Sequence, residues 1–254
     1  MRTVSLFLIF LFAMAGCASP DRSKALVVID AGHGGHDTGA ISDGKFEKDL
    51  VLSIAKRVKQ ALRQNGHPVY LTRGGDRFLK LGQRTRIADK KGAMIFLSIH
   101  ANASPTPKKN EILSGVETYY LQKSGDARSQ HIAERENAAV LMGTDDLSKD
   151  VIIDAVLNGP KIVESHKLAI DVQREMLNKM RSECRDVKDG GVRAGPFYVL
   201  VGASRPSILV EVGYLSNTKE RQRLFDAEYQ NAIAKGIASG IGRYLDNRKK
   251  EIDI

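Results

Sequence analysis

Three apolar, β-rich runs in this 254-residue chain each stop on a side chain able to bind a metal or move a proton. Val27-Val28-Ile29 leads into Asp30-Ala31-Gly32-His33-Gly34-Gly35, and Ile95-Phe96-Leu97 into Ser98-Ile99-His100-Ala101-Asn102. Ile208-Leu209-Val210 leads into Glu211-Val212-Gly213-Tyr214. In an open α/β sheet, ligands bind outside the carboxyl ends of the strands. Three such ends bring two imidazoles and a carboxylate toward one crevice.

The segments in between alternate as a parallel α/β domain requires. Residues 25–30, 69–72 and 93–99 read as strands, and each connection between them fits a right-handed crossover. Residues 47–65 form an amphipathic helix, with Leu50, Ile54, Val58 and Leu62 at four-residue steps and Gly66-His67-Pro68 as its stop. A second helix is predicted over 81–91. After a loop at 103–114, a strand is predicted over 115–121 at the sheet edge. Strands over 197–201 and 207–212 follow a long helix at 161–184, and a helix over 227–245 closes the domain. Residues 124–160 are more polar, with helix-forming stretches at 128–142 and 149–158. The expected fold is one α/β domain over 25–247, with a mixed, mostly parallel sheet flanked by helices, a helical insertion at 124–160 and a flexible tail at 248–254.

Arg2, the apolar run 6–14 and Ala15-Gly16-Cys17 predict a cleaved export signal, the run being too short to span a bilayer stably. The segment resembles a bacterial lipoprotein signal. That implies a signal peptide over 1–17, lipid modification of Cys17, a tether over 18–24 and an anchor in a membrane of the cell envelope. Ordinary cleavage nearby without lipid is the alternative. Ala18 stands where an aspartate often accompanies inner-membrane retention, which favours a periplasmic lipoprotein on the outer membrane wherever the organism has one.

Lys and Arg number 39 against 30 acids, a formal charge of +9 that loses one Arg and no acid with residues 1–17. A basic envelope protein suits cell-wall polymers or phospholipid headgroups. The export signal, the absence of Trp and the 6% aromatic content argue against nucleic acid as a partner. Cys184 has no partner cysteine at metal-finger spacing and reads as a lone structural thiol.

His33 lies between glycines, where the backbone turns sharply and a substrate can approach. Glu47 opens a helix, where a carboxylate can serve the macrodipole alone. The strand–loop–helix unit, however, returns it near the same sheet edge. His33, Glu47 and His100 then make a His₂Glu set close to that of catalytic zinc sites, which leave one position for water. Glu211, ending an apolar run, is expected to be desolvated and raised toward general-base range. A buried salt bridge to an arginine is the competing reading.

The pieces VVIDAGHGGHDTGAIS, EKDLVLSIAKRVKQAL, VYLTRGGDRFLKLGQRTRIAD, MIFLSIHANAS, GVETYYL, AERENA and PSILVEVGYLSN span nearly all of residues 26–245. In that order they resemble the zinc-dependent N-acetylmuramoyl-L-alanine amidases of the bacterial cell wall. The resemblance implies Zn²⁺ as sole cofactor, held by His33, Glu47 and His100, with Glu211 as the catalytic carboxylate. It implies hydrolysis of the amide between the lactyl group of N-acetylmuramic acid and the first L-alanine of the peptidoglycan stem peptide, in wall remodelling or daughter-cell separation. Some envelope members carry a helical insertion that covers the site until an activator protein displaces it. AERENA resembles that region, which makes Glu134 and Glu136 candidates for an inhibitory contact; an exposed helix with ordinary acidic residues is the alternative. His36 reads as a solvated or substrate-side group, Asp30 as a partner of a ligand imidazole or a strand-end cap, and Asn102 as a substrate or loop residue. Arg73 and Arg84 serve folding or substrate binding. A zinc peptidase or deacetylase acting on the same polymer, and a wall-binding lipoprotein with a degenerate site, are the rival functions.

Overall fold

Every residue of β1 (Val27–Ala31) is buried, and successive side chains feed different cores, Val27 and Ile29 one and Val28 the other. A strand covered by helices on both faces has this period-two division. The computed structural model describes residues 25–138 and 159–252. The signal segment, Cys17, the tether 18–24 and the predicted helix at 149–158 lie outside the described residues.

β1 sits in a six-stranded sheet, next to β4 (Val69–Leu71) on one side and β5 (Ile95–Asn102) on the other. Beyond β5 come β8 (Ser207–Tyr214), β6 (Val116–Leu121) and β7 (Asp189–Gly195). β4, β1, β5 and β8 are parallel, β6 runs antiparallel to β8, and β7 is parallel to β6. A two-stranded hairpin, β2 (Ile41–Ser42) and β3 (Lys45–Phe46), fills the β1–helix connection.

One face of the sheet is covered by α1 (Glu47–Gln64), α4 (Gly159–Glu183) and α6 (Ala227–Ile252). The other carries α2 (Leu81–Lys90), α3 (Ala127–Glu136) and a 3₁₀ turn at Tyr198–Leu200. A short α5 (Thr218–Leu224) links β8 to α6. α4 and α6 touch backbone to backbone: a Cβ added at Gly236 or Gly240 would lie 2.5 Å from the Cα of Met176 or Val172.

The fold class matches the expectation, with three corrections. β6 is interior, because β7 pairs beyond it; β7 escaped notice since Asp189-Gly190-Gly191-Val192-Arg193-Ala194-Gly195 has no apolar run, as suits an edge strand. The strand predicted over 197–201 is instead the 3₁₀ turn, packed in the second core. The flexible tail predicted at 248–254 is helical as far as Ile252, held by ion pairs of Arg248 with Glu164 and Lys167 with Glu251. Among the described residues no helix is long and apolar enough to cross a membrane.

Candidate active site

Two buried arginines shape the loop after β1. Arg73 donates to the carbonyls of Ala31 (2.8 Å), Gly32 (2.7 Å) and Lys48 (2.8 Å), tying the loop to the start of α1. Arg84 donates to Ala31 (2.8 Å) and His33 (3.0 Å) and pairs with Asp30 at 3.0 Å. Asp30 also accepts from Thr72 and Ser98. Arg73 and Arg84 thus serve folding, and Asp30 anchors Arg84 rather than an imidazole or a strand end. The scaffold holds His33 at φ 57°, a conformation uncommon for non-glycine residues and typical of functional turns.

His33 Nδ1 meets the Asp37 carboxylate at 3.0 Å, which fixes the ring and aims Nε2 inward. Glu47 is fully buried at the first position of α1, its oxygens accepting from the Ala101 and Ala40 amides at 2.9 Å. His33 Nε2 lies 3.1 Å from Glu47 and 3.2 Å from Glu136. His100 Nδ1 lies 3.2 Å from Glu47 and 2.8 Å from Glu136. One donor atom from each of these four residues falls within 4.8 Å of every other. His33 Nε2 and Glu136 Oε2 are buried without a well-directed hydrogen bond, so they aim at a shared point rather than at each other. Two imidazole nitrogens and two carboxylate oxygens converging in this way form a donor set that fits zinc.

Glu211 stands beside the cluster, paired in register with His100 across β5 and β8. It is fully buried, and neither of its oxygens accepts a hydrogen bond among the described residues. Burial, reinforced by the like charge of Glu136, pushes its carboxyl well above the usual range, with Arg135 offsetting only part. The salt-bridge reading is met only by a 3.9 Å approach of Arg135, whose short contacts, 2.6 and 2.9 Å, go to Glu136. Burial would also raise Glu136, but Arg135 and His100 hold it well below the ordinary value. Burial lowers His100, yet the Glu136 and Glu47 carboxylates outweigh it and push the imidazole up to about 9.

Of the sequence-predicted residues, His33, Glu47 and His100 share one cluster, Glu211 adjoins it, and Glu136 of α3 enters it. Glu134 is exposed and lies outside it. His36 stacks on Phe78 with ring centroids 4.2 Å apart, and Asn102 donates to Glu117 rather than to the cluster. Cys184 contacts Asp186, away from the site. Sequence reasoning missed Asp37, although an acid four residues after His33 in a glycine-rich loop is a readable signal. It also missed Arg135 and the buried Glu117, the register partner of Glu211, which pairs with Arg128 at 2.6 Å. Two grooves open beside the cluster. One of about 290 Å³ is lined by His36, Phe78 and Leu81, the other of about 430 Å³ by Ser42, Ser104 and Asn110; Arg135 borders both.

A His₂Glu₂ cluster beside a desolvated carboxylate, at the carboxyl edge of an α/β sheet, has the parts needed for metal-assisted hydrolysis. The family model for N-acetylmuramoyl-L-alanine amidase matches residues 27–243, and the chain belongs to that family. AmiA of Escherichia coli (strain K12), an N-acetylmuramoyl-L-alanine amidase, is 36% identical over 239 residues, covering 91% of this chain and 81% of AmiA. Among solved structures, the amidase AmiC2 of Nostoc punctiforme is similar at a TM-score of 0.63 and 35% identity, covering 87% of this chain and 97% of that one. The CwlD amidase of Clostridioides difficile, in complex with the GerS lipoprotein, is similar at a TM-score of 0.64 and 26% identity, covering 88% of this chain and all of CwlD.

Proposed function

We propose that this chain hydrolyses the amide joining the lactyl group of N-acetylmuramic acid to L-alanine in peptidoglycan, in wall remodelling or daughter-cell separation. The observation that carries this reading is the convergence of His33, Glu47 and His100 on one point beside the desolvated Glu211. Those three residues would hold zinc, and zinc bound there supplies a Lewis acid that lowers the pKa of water and polarises the scissile carbonyl. Glu211 takes the proton of the attacking water and returns it to the departing alanine nitrogen, which its raised pKa suits. Asp37 keeps His33 in the tautomer that presents Nε2.

A second reading is favoured by one observation, the position of Glu136 Oε2 at 2.8 and 3.2 Å from the two imidazoles. α3 then blocks the site in the resting enzyme, with Glu136 taking the position that water needs, and a partner protein lifts α3 away. We assign Cys17 as the lipidated N-terminus of the exported chain, anchored in an envelope membrane.

Zinc content and hydrolysis, measured together, test the site. The parent chain should bind one zinc per molecule. His33→Ala, Glu47→Ala and His100→Ala should lose both zinc and activity, and Glu211→Gln should keep zinc and lose activity. Full zinc occupancy in all three ligand variants would contradict the assignment.

A further inference from the structure

The chain enters the domain at the sheet edge opposite the catalytic crevice. Ala25 precedes β1 and, with Asn65, Met94, Pro206, Leu245 and Lys249, lines a cavity of about 640 Å³ below the strand starts. β1, β4, β5 and β8 are parallel, so His33, His100 and Glu211 occupy the other edge. β5 and β8 have eight residues each, which at about 3.3 Å per residue separates the two edges by about 25 Å.

The last turns of three helices end on this entry edge, and they are basic. Arg63 lies at the end of α1, Lys90 and Lys91 at that of α2, and Lys249 and Lys250 at that of α6. All five are exposed, and none forms an ion pair among the described residues. Asp246 is an exposed acid here, whereas Asp89 and Glu164 are neutralised by Arg205 and Arg248. Apolar surface lies among the cations: Met94 is 54% exposed, and the Lys91 ammonium sits 4.5 Å above the ring of the half-exposed Tyr70. Seven residues separate Cys17 from Ala25, a reach of at most about 29 Å over eight steps when extended.

We propose that this entry edge is a docking surface for an anionic phospholipid bilayer, and that docking turns the catalytic crevice away from the membrane toward the wall. The inference rests on the lipidation of Cys17 proposed above. Each basic side chain near an anionic membrane strengthens association by about fivefold, and the effect decays within a Debye length. A lipid on Cys17 holds the edge close enough for those charges to act. Tyr70 and Met94 suit the headgroup boundary, where amphipathic and apolar side chains settle.

The test uses the full lipidated protein in vesicles of phosphatidylcholine, with and without phosphatidylglycerol, followed by amide hydrogen exchange. Residues 90–94 and 245–250 should exchange more slowly in the anionic vesicles, while the His33 loop and residues 103–107 exchange equally in both. Raising the salt should abolish the difference in the unmutated protein. Combining Lys90→Glu, Lys91→Glu, Lys249→Glu and Lys250→Glu should weaken docking by more than about a hundredfold. Hydrolysis of soluble muropeptides by that variant should persist and reports that it is folded. Equal exchange in both vesicles, or protection at the catalytic edge, would overturn the proposal. The mass of the N-terminal peptide in the same sample separates the two failures. An unmodified Cys17 removes the anchor and the docking together, whereas a lipidated Cys17 without protection removes the docking alone.

Discussion

Asp30 and Gly32 show how closely the proposed zinc-holding residues depend on their neighbours. Burial alone would raise Asp30, but Arg84 and the Thr72 hydroxyl hold it below the ordinary carboxylate value. Its stabilising contribution is therefore fully present above the unfolded pKa of about 3.9 and is lost as pH falls through the lower folded value. Asp30→Asn leaves Arg84 buried without its charge and should cost about 3–5 kcal/mol. Urea unfolding at neutral pH and at pH near 3 checks both points: the parent should lose stability on acidification, and the variant should lose less. Gly32 leaves room for a ligand, since a Cβ there would lie 2.3 Å from His100 Cε1. Gly32→Ala should thus weaken zinc binding by about 10–100-fold, as displaced supporting groups do, in a folded protein; chelator competition reads it. His33, His100 and Glu211 were legible in the sequence because each closes an apolar run. Asp37 was overlooked although its spacing four residues after His33 marks it, whereas Arg135 acts through Glu136 and nothing in its local spacing marks that.

The elements were legible where periodicity was strong and obscure where it was not. α1 announced itself through Leu50, Ile54, Val58 and Leu62, all buried. β7 has no such pattern, because an edge strand of glycines and polar residues buries little. The α4–α6 contact was invisible because close approach depends on which residue a helix lacks. Alanine normally gains about 1 kcal/mol over glycine in a helix. At Gly240 overpacking against the α4 backbone should outweigh this and give a net loss of about 1–3 kcal/mol. At Gly242, where nothing lies within 4 Å of an added Cβ, Gly242→Ala should stabilise by about 0.5–1 kcal/mol. Thermal unfolding of the pair should show opposite signs, and a shared sign would refute the packing argument. For α3, the register that puts Glu136 into the cluster leaves Glu134 in solvent, a distinction that the sequence left open. If α3 blocks the site, Glu136→Ala should raise basal hydrolysis several-fold while Glu134→Ala leaves it unchanged. Equal rates across parent and both variants would set the autoinhibited reading aside.

At the scale of the whole molecule, the sheet divides the labour. Its carboxyl edge gathers His33, His100 and Glu211, and its amino edge receives the chain at Ala25. That division follows from the parallel order of β4, β1, β5 and β8, which the alternation of strands and helices made readable. The antiparallel pairing of β6 with β8 could not be read, since it depends on a long return through α3 and beyond. It also places Glu117, a second buried carboxylate, opposite Glu211 in register. The enzyme is proposed to break the lactyl–L-alanine amide and to need a metal to do so. The most direct measurement is the mass of the fragments released from purified peptidoglycan, with zinc present and after chelation. The expected products are free stem peptides beginning with L-alanine, lost on chelation and restored by zinc. Fragments cut elsewhere in the polymer, or hydrolysis indifferent to the chelator, would contradict the proposal.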